Sequence, residues 1–144
     1  MLKKILLKIL IFLLILSCNK DDSYSGTHFS PPKWIQGKWG GMIEYPHFNE
    51  LNIFTFTKNN FIRDVNGAII DYNERINWVS EKYFTPSEEI SSSDYNINLR
   101  AIVYTEIYYF NKLSDSKIEL TFEKGDNDDW NNREVHSCQL NKIN

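Results

Sequence analysis

Three histidines, two cysteines and a run of aspartates are the residues of this chain of 144 whose types could do chemistry. Zinc takes ligands that come in close, characteristically spaced pairs. His28, His47 and His136 are not spaced with a second His or Cys in that way. A reactive thiol needs a histidine or a helix terminus at hand. His136 sits two residues before Cys138, so on a strand the two share a face about 6–7 Å apart. Cys138 is therefore read as a small buried core residue. Asp126, Asp128 and Asp129 invite a calcium loop, which needs a Gly at its sixth position and a Glu at its twelfth. Counted from Asp126, those positions hold Asn131 and Ser137, so a solvated hairpin tip is expected instead. There is no Gly-x-Ser-x-Gly elbow and no Gly-rich phosphate loop. The sequence thus predicts no catalytic constellation, no metal and no cofactor.

One carboxylate stands apart. Ala68 to Trp78 has a period of two, with Ile70, Tyr72, Ile76 and Trp78 on one face and Asp71, Asn73, Arg75 and Asn77 on the other. Glu74 falls on the apolar face. On a strand without a bulge it points inward, where an unpaired carboxylate is costly. It then needs Arg63, Arg100 or a polar ligand group as partner. Glu74 with Tyr72, Trp78, Tyr95 and Phe56 is the predicted ligand pocket.

The elements that must position these residues read as strands. Aromatic residues make up 15% of the chain and suit pleated surfaces. Strands are expected at Lys38–Tyr45, with Gly40-Gly41 allowing a bend or bulge, at Leu51–Thr57 and at Phe61–Val65. Asn66-Gly67 is the strongest hairpin signal, because both residues tolerate positive φ. After the fourth strand, Thr85-Pro86-Ser87-Glu88 looks like a capping box with proline at the first helical position. Val79–Asp94 is accordingly read as a loop or a single helical turn. Strands follow at Tyr95–Val103, Glu106–Leu113, Lys117–Lys124 and Arg133–Asn141, with an acidic loop over Gly125–Asn132. Eight short strands, each with one apolar face, predict an all-β antiparallel meander that closes into a barrel. A two-sheet sandwich is the alternative.

The amino terminus carries an address. Met1-Leu2-Lys3-Lys4 is a positive head, Ile5 to Leu16 is apolar except for Lys8, and Ser17 precedes Cys18. These are the marks of a cleaved secretory signal, and the run is too short for a spanning helix of ~20 apolar residues. Ile15-Leu16-Ser17-Cys18 resembles the lipobox of bacterial lipoproteins. The resemblance implies cleavage of residues 1–17 and lipidation of Cys18, whose several acyl chains anchor stably where one is marginal. Cys18-Asn19-Lys20-Asp21-Asp22 is similar to the acidic export tags of surface lipoproteins in some Gram-negative bacteria. That implies an outer-membrane protein on the cell surface, with the periplasmic face as alternative. Cleavage leaves 127 residues with 13 basic and 19 acidic side chains, a formal charge of −6. Nucleic acid and anionic membrane surfaces need clustered Lys and Arg, so neither is expected as a partner. With Cys18 lipidated, Cys138 has no disulfide partner.

Residues 18–33, polar and holding Pro31-Pro32, read as a linker, and residues 34–144 as the domain. Its opening, Trp34-Ile35-Gln36-Gly37-Lys38-Trp39, resembles the first motif of lipocalin-like proteins. The likeness implies that Gly37 starts the first strand and that Trp39 plugs the closed end of the barrel. Phe54-Thr55-Phe56-Thr57 and Lys117-Ile118-Glu119-Leu120-Thr121 look like small lipocalin-like lipoproteins, and the resemblance spans most of residues 34–141. An eight-stranded barrel is filled by side chains or holds one small ligand. The expected function is non-catalytic binding of a small apolar molecule by a lipid-anchored envelope protein. The alternative is an interaction module that contacts another envelope protein.

Overall fold

The computed structural model describes residues 29–79 and 83–144. The chain is all-β, a single curled antiparallel sheet and not a two-layer sandwich. The described residues form nine strands where eight were expected: β1 Gly37–Glu44, β2 Asn49–Phe56, β3 Phe61–Val65, β4 Ala68–Asp71, β5 Phe84–Ile90, β6 Asp94–Ala101, β7 Tyr104–Lys112, β8 Lys117–Asp126 and β9 Glu134–Ile143. Their order in the sheet is β4-β3-β2-β1-β9-β8-β7-β6-β5. The first and last strands pair, Trp39 opposite Lys142, as a barrel requires. The ring stops short of closure, because β4 and β5 are the two free edges.

Two segments bridge that seam. A helix, α1 (Tyr72–Val79), packs on β3, β4 and β5. Farther along, the Phe29 ring meets Phe61 of β3 at 6.0 Å, and the Ser30 amide donates to both Glu88 carboxylate oxygens of β5, at 2.9 and 3.0 Å. Phe29 and Pro31 are buried, so the packed unit begins ahead of Trp34 and takes in residues assigned to the linker.

The alternation that predicted the strands sets their inner face. Phe54 and Phe56 of β2, Tyr95, Ile97 and Leu99 of β6, and Ile118, Leu120 and Phe122 of β8 are all buried. Cys138 is half-buried against this core. Asn66 (φ 51°) and Gly67 (φ 92°) make the β3–β4 hairpin turn. β1 pairs with β2 without interruption from Gly37 to Glu44, so Gly40-Gly41 makes no bulge. Gly41 serves β9 instead: a Cβ there would lie 2.5 Å from the Gln139 carbonyl oxygen.

The fourth strand departs from expectation. It ends at Asp71, and Tyr72–Val79 is helical. Asp71 caps the helix, its Oδ1 accepting the Glu74 amide at 3.1 Å. Tyr72 and Ile76, four apart, face the core as one helical stripe. The expected capping box at Thr85-Pro86-Ser87-Glu88 lies inside β5, paired with β6 from Thr85↔Arg100 to Glu88↔Ile97. Proline is tolerated there because β5 is an edge strand. The acidic segment after Lys124 continues β8 to Asp126 and then forms a 3₁₀ turn over Asn127–Asn132.

Candidate functional site

The two halves of the barrel differ in chemistry. At the end where β1 begins, the interior is aromatic and aliphatic. Trp39 is fully buried, and its indole Nε1 donates to the Ile35 carbonyl at 2.6 Å. Gly37, at φ 122°, takes the chain into β1 in a conformation side-chain-bearing residues rarely adopt. Phe56 packs edge-on against Tyr95 at 5.9 Å and Phe110 at 5.0 Å. Trp39 is thus packed inside the curled sheet where β1 begins.

Toward the other end the interior is polar and organised around Arg63, only 6% exposed. Its Nε donates to Asn52 Oδ1 at 2.6 Å, Nη1 to the Tyr108 hydroxyl at 3.1 Å, and Nη2 to Glu50 Oε1 at 3.0 Å. The guanidinium lies 4.8 Å from the Phe122 ring centroid. The Tyr72 and Tyr108 hydroxyls are 2.7 Å apart, and each is 3.1 Å from Glu106 Oε2. Two phenolic protons serve these three contacts, so one phenol donates to Glu106 and the other to its neighbour. Buried charge is tolerable only when paired and hydrogen-bonded in this way.

Electrostatics fix the protonation of the cluster. Burial raises the Tyr108 pKa, nearby Tyr72 and Glu106 add to it, and Arg63 opposes it. Burial, then Glu106, raises Tyr72, against Arg63 and the Tyr108 hydrogen bond. Burial disfavours the Arg63 charge, but Tyr108, Tyr72 and Glu106 more than offset that and raise its pKa. The phenols therefore stay neutral and the guanidinium charged across physiological pH. Burial also lifts the Cys138 thiol to about 11, with Arg63 opposing, so it is held as an unreactive thiol.

The predicted pocket residues separate into two groups. Tyr72, Tyr95 and Phe56 are buried together, joined through Phe61, which stacks on Tyr72 at 4.7 Å and on Phe56 at 5.3 Å. Glu74 and Trp78 lie on the outside. Helix formation turns Glu74 to the exposed side of α1, and Trp78 is 86% exposed. Neither proposed partner of Glu74 takes that role: Arg63 binds Glu50, and Arg100 is exposed. Among the described residues, the carboxylates that join the Arg63 cluster are Glu50 and Glu106. Their signal was present in the sequence, since each lies in step with inward aromatics, Glu50 with Asn52 and Phe54, Glu106 with Tyr108 and Phe110.

Glu74 and Trp78 instead line an open groove of about 430 Å³ between β4 and α1, with Ile69, Ile70, Asp71 and Arg75. Ile69 is 72% exposed. Arg75 reaches from the groove floor to the Tyr104 hydroxyl and lies over the Phe84 ring at 5.4 Å. Among the described residues no three His, Cys, Asp or Glu side chains are placed to hold a metal ion, and no helix is long and apolar enough to cross a membrane. The expected signal segment and Cys18 lie outside the described residues. Compared with known proteins, the chain matches no family model, no curated protein and no solved structure.

Proposed function

We propose that this chain is a lipid-anchored envelope protein that works by contact, docking an envelope protein partner at the β4–α1 groove without catalysis. The observation that carries the reading is a contrast between inside and outside. The barrel interior is occupied by stacked and edge-on rings and a saturated polar cluster, while Trp78 stands exposed beside Ile69 in an open groove. An exposed Trp in an apolar hollow with a charged rim, here Asp71 and Glu74, is the anatomy of a contact hot spot. The formal charge of −6 after cleavage disfavours an anionic lipid surface as occupant. A small apolar molecule held by Trp78 would seat in this same groove, because Trp78 does not face the interior.

The anchor rests on the lipobox resemblance of Ile15-Leu16-Ser17-Cys18 and places the groove outside the cytoplasm, at the outer membrane. The reading is tested by crosslinking on intact cells that make the full chain or its Trp78→Ser/Ile69→Ser variant. A discrete adduct lost in the variant, with the folded domain unchanged by circular dichroism, is expected. Adducts identical in both would refute docking at this groove. Native mass spectrometry of the full chain, showing a retained apolar molecule displaced by the same substitutions, would move the assignment to small-molecule binding.

A further inference from the structure

The β4–α1 groove borders a free edge of the sheet, and the backbone groups of β4 face outward there in a set pattern. In an antiparallel pair, hydrogen-bonded and non-hydrogen-bonded positions alternate. The Asn66 amide donates to the Leu51 carbonyl at 3.0 Å, one step beyond the Asn52↔Val65 pair. Asp64 and Ile62, in step with Asn66, therefore turn their backbone groups to β2. Arg63 and Val65 turn theirs to β4, where they meet Ile70 and Ala68. Ile69 lies between those two, so its N–H and C=O point away from β3, as does the Asp71 N–H. Among the described residues no strand lies on that side, and Ile69 is exposed.

An open strand edge is a template for another extended chain. A helix bonds its own backbone groups and would leave these three unanswered. The side chains beside the edge add a second selection. Ile69 and Trp78 supply apolar surface, and Asp71 and Glu74 the rim. Neither carboxylate is in an ion pair among the described residues. Asp71 accepts only from uncharged donors, the Glu74 amide at 3.1 Å and Asn60 Nδ2 at 2.9 Å. Arg75, the cation lining the groove, is drawn away to the Tyr104 hydroxyl and the Phe84 ring. The rim therefore presents uncompensated negative charge next to an open edge. An acidic segment would be repelled there, and a basic one is complementary.

We propose that β4 takes on a further strand from the envelope partner, an extended segment with an apolar side chain against Ile69 and Trp78 and a Lys or Arg beside Asp71 and Glu74. The inference rests on docking at this groove and names the form and charge of what docks. It is tested by fluorescence anisotropy on the full chain in a non-ionic detergent. The probe is a capped octapeptide of alternating Lys and Val with an uncharged fluorophore. One control carries Glu in place of Lys. The other has all its backbone amides N-methylated, which keeps the side chains and charge and blocks both edges. The Lys–Val peptide is expected to bind and, at saturation, to slow hydrogen exchange of the Ile69 amide by about tenfold or more. Binding should weaken by about tenfold or more with either control peptide and in Ile69→Pro, and by about threefold in Glu74→Gln. Ile69→Pro removes an outward N–H from an edge strand, where proline is tolerated, so its melting temperature is expected to hold. Should it fall, the N-methylated peptide on the wild-type chain makes the same comparison. Overturning results are no binding of the Lys–Val peptide, equal binding of either control, or unchanged exchange at Ile69. On intact cells, a crosslink lost in Trp78→Ser/Ile69→Ser but undiminished in both Ile69→Pro and Glu74→Gln would refute strand addition while docking stands. A crosslink identical in all of these would refute docking itself.

Discussion

Two tryptophans with the same side chain occupy opposite environments, and their substitution should separate by several kcal/mol. Trp39→Ala empties a fully buried site and removes the indole bond to Ile35; a loss of about 3–5 kcal/mol is expected in urea unfolding. Trp78→Ala, at an exposed position, should stay within about 0.5 kcal/mol. Arg63→Met is a third case, because it removes the guanidinium that donates to Asn52 and Tyr108 and balances the Glu50 charge. Removing one partner of a buried pair costs about 3–5 kcal/mol, and unfolding midpoints with an unchanged slope would show it. The raised tyrosines give a pH dependence of definite sign. Tyr72, Tyr95 and Tyr108 hold their protons more tightly folded than unfolded, above the ordinary value of 10.0. The stability they contribute is complete below pH 10 and is lost as pH rises beyond it. Cys138 begins to act earlier, between its ordinary 9.0 and about 11. Unfolding midpoints should therefore fall from about pH 9 upward, and Cys138→Ala should remove the first part of that fall.

At the scale of elements, α1 shows where a periodicity runs out. Tyr72 and Ile76 are four apart, a spacing that suits a strand face counted in twos and a helix stripe equally well. The arbiter was Asp71 three residues ahead of Glu74, a helix start that the strand alternation masked. Its importance is measurable: Asp71→Ala should cost about 1 kcal/mol and lower the melting temperature, by loss of the cap on the Glu74 amide. The misreading decided the site. With a strand, Glu74 and Trp78 face inward beside Tyr72; with a helix they face water, and the pocket dissolves into a core and a groove. β5 was missed for the opposite reason. Its residues Thr85-Pro86-Ser87-Glu88 mimic a capping box, and only pairing with β6, invisible in a local window, makes them a strand. The strands whose inward residues alternate cleanly, β2, β6 and β8, were legible because burial on one face imposes that pattern directly.

For the whole molecule, the meander and its inner face were legible, while the seam was not. Which two strands fail to pair depends on how α1 and the segment at Phe29 fill the gap, a matter of tertiary packing and not of any local pattern. The lipobox resemblance at the start of the chain makes its own prediction. Cys18→Ser should abolish incorporation of labelled palmitate and move the protein from the membrane fraction to the soluble one, and lipid labelling that persists in that variant would refute the lipobox reading.

The strap at the seam has a mechanical corollary. Phe29 is wedged on β3 while the next amide, that of Ser30, is clamped to Glu88 on β5. If the chain is tethered through Cys18 as proposed, a pull from the anchor reaches this point first among the described residues. It is carried across the one place where neighbouring strands do not hold each other. Tension from that side would thus load the Ser30–Glu88 clamp before any strand of the sheet, giving the domain a defined weak link at its amino-terminal end and leaving the β1–β9 pairing unstressed until that link has parted.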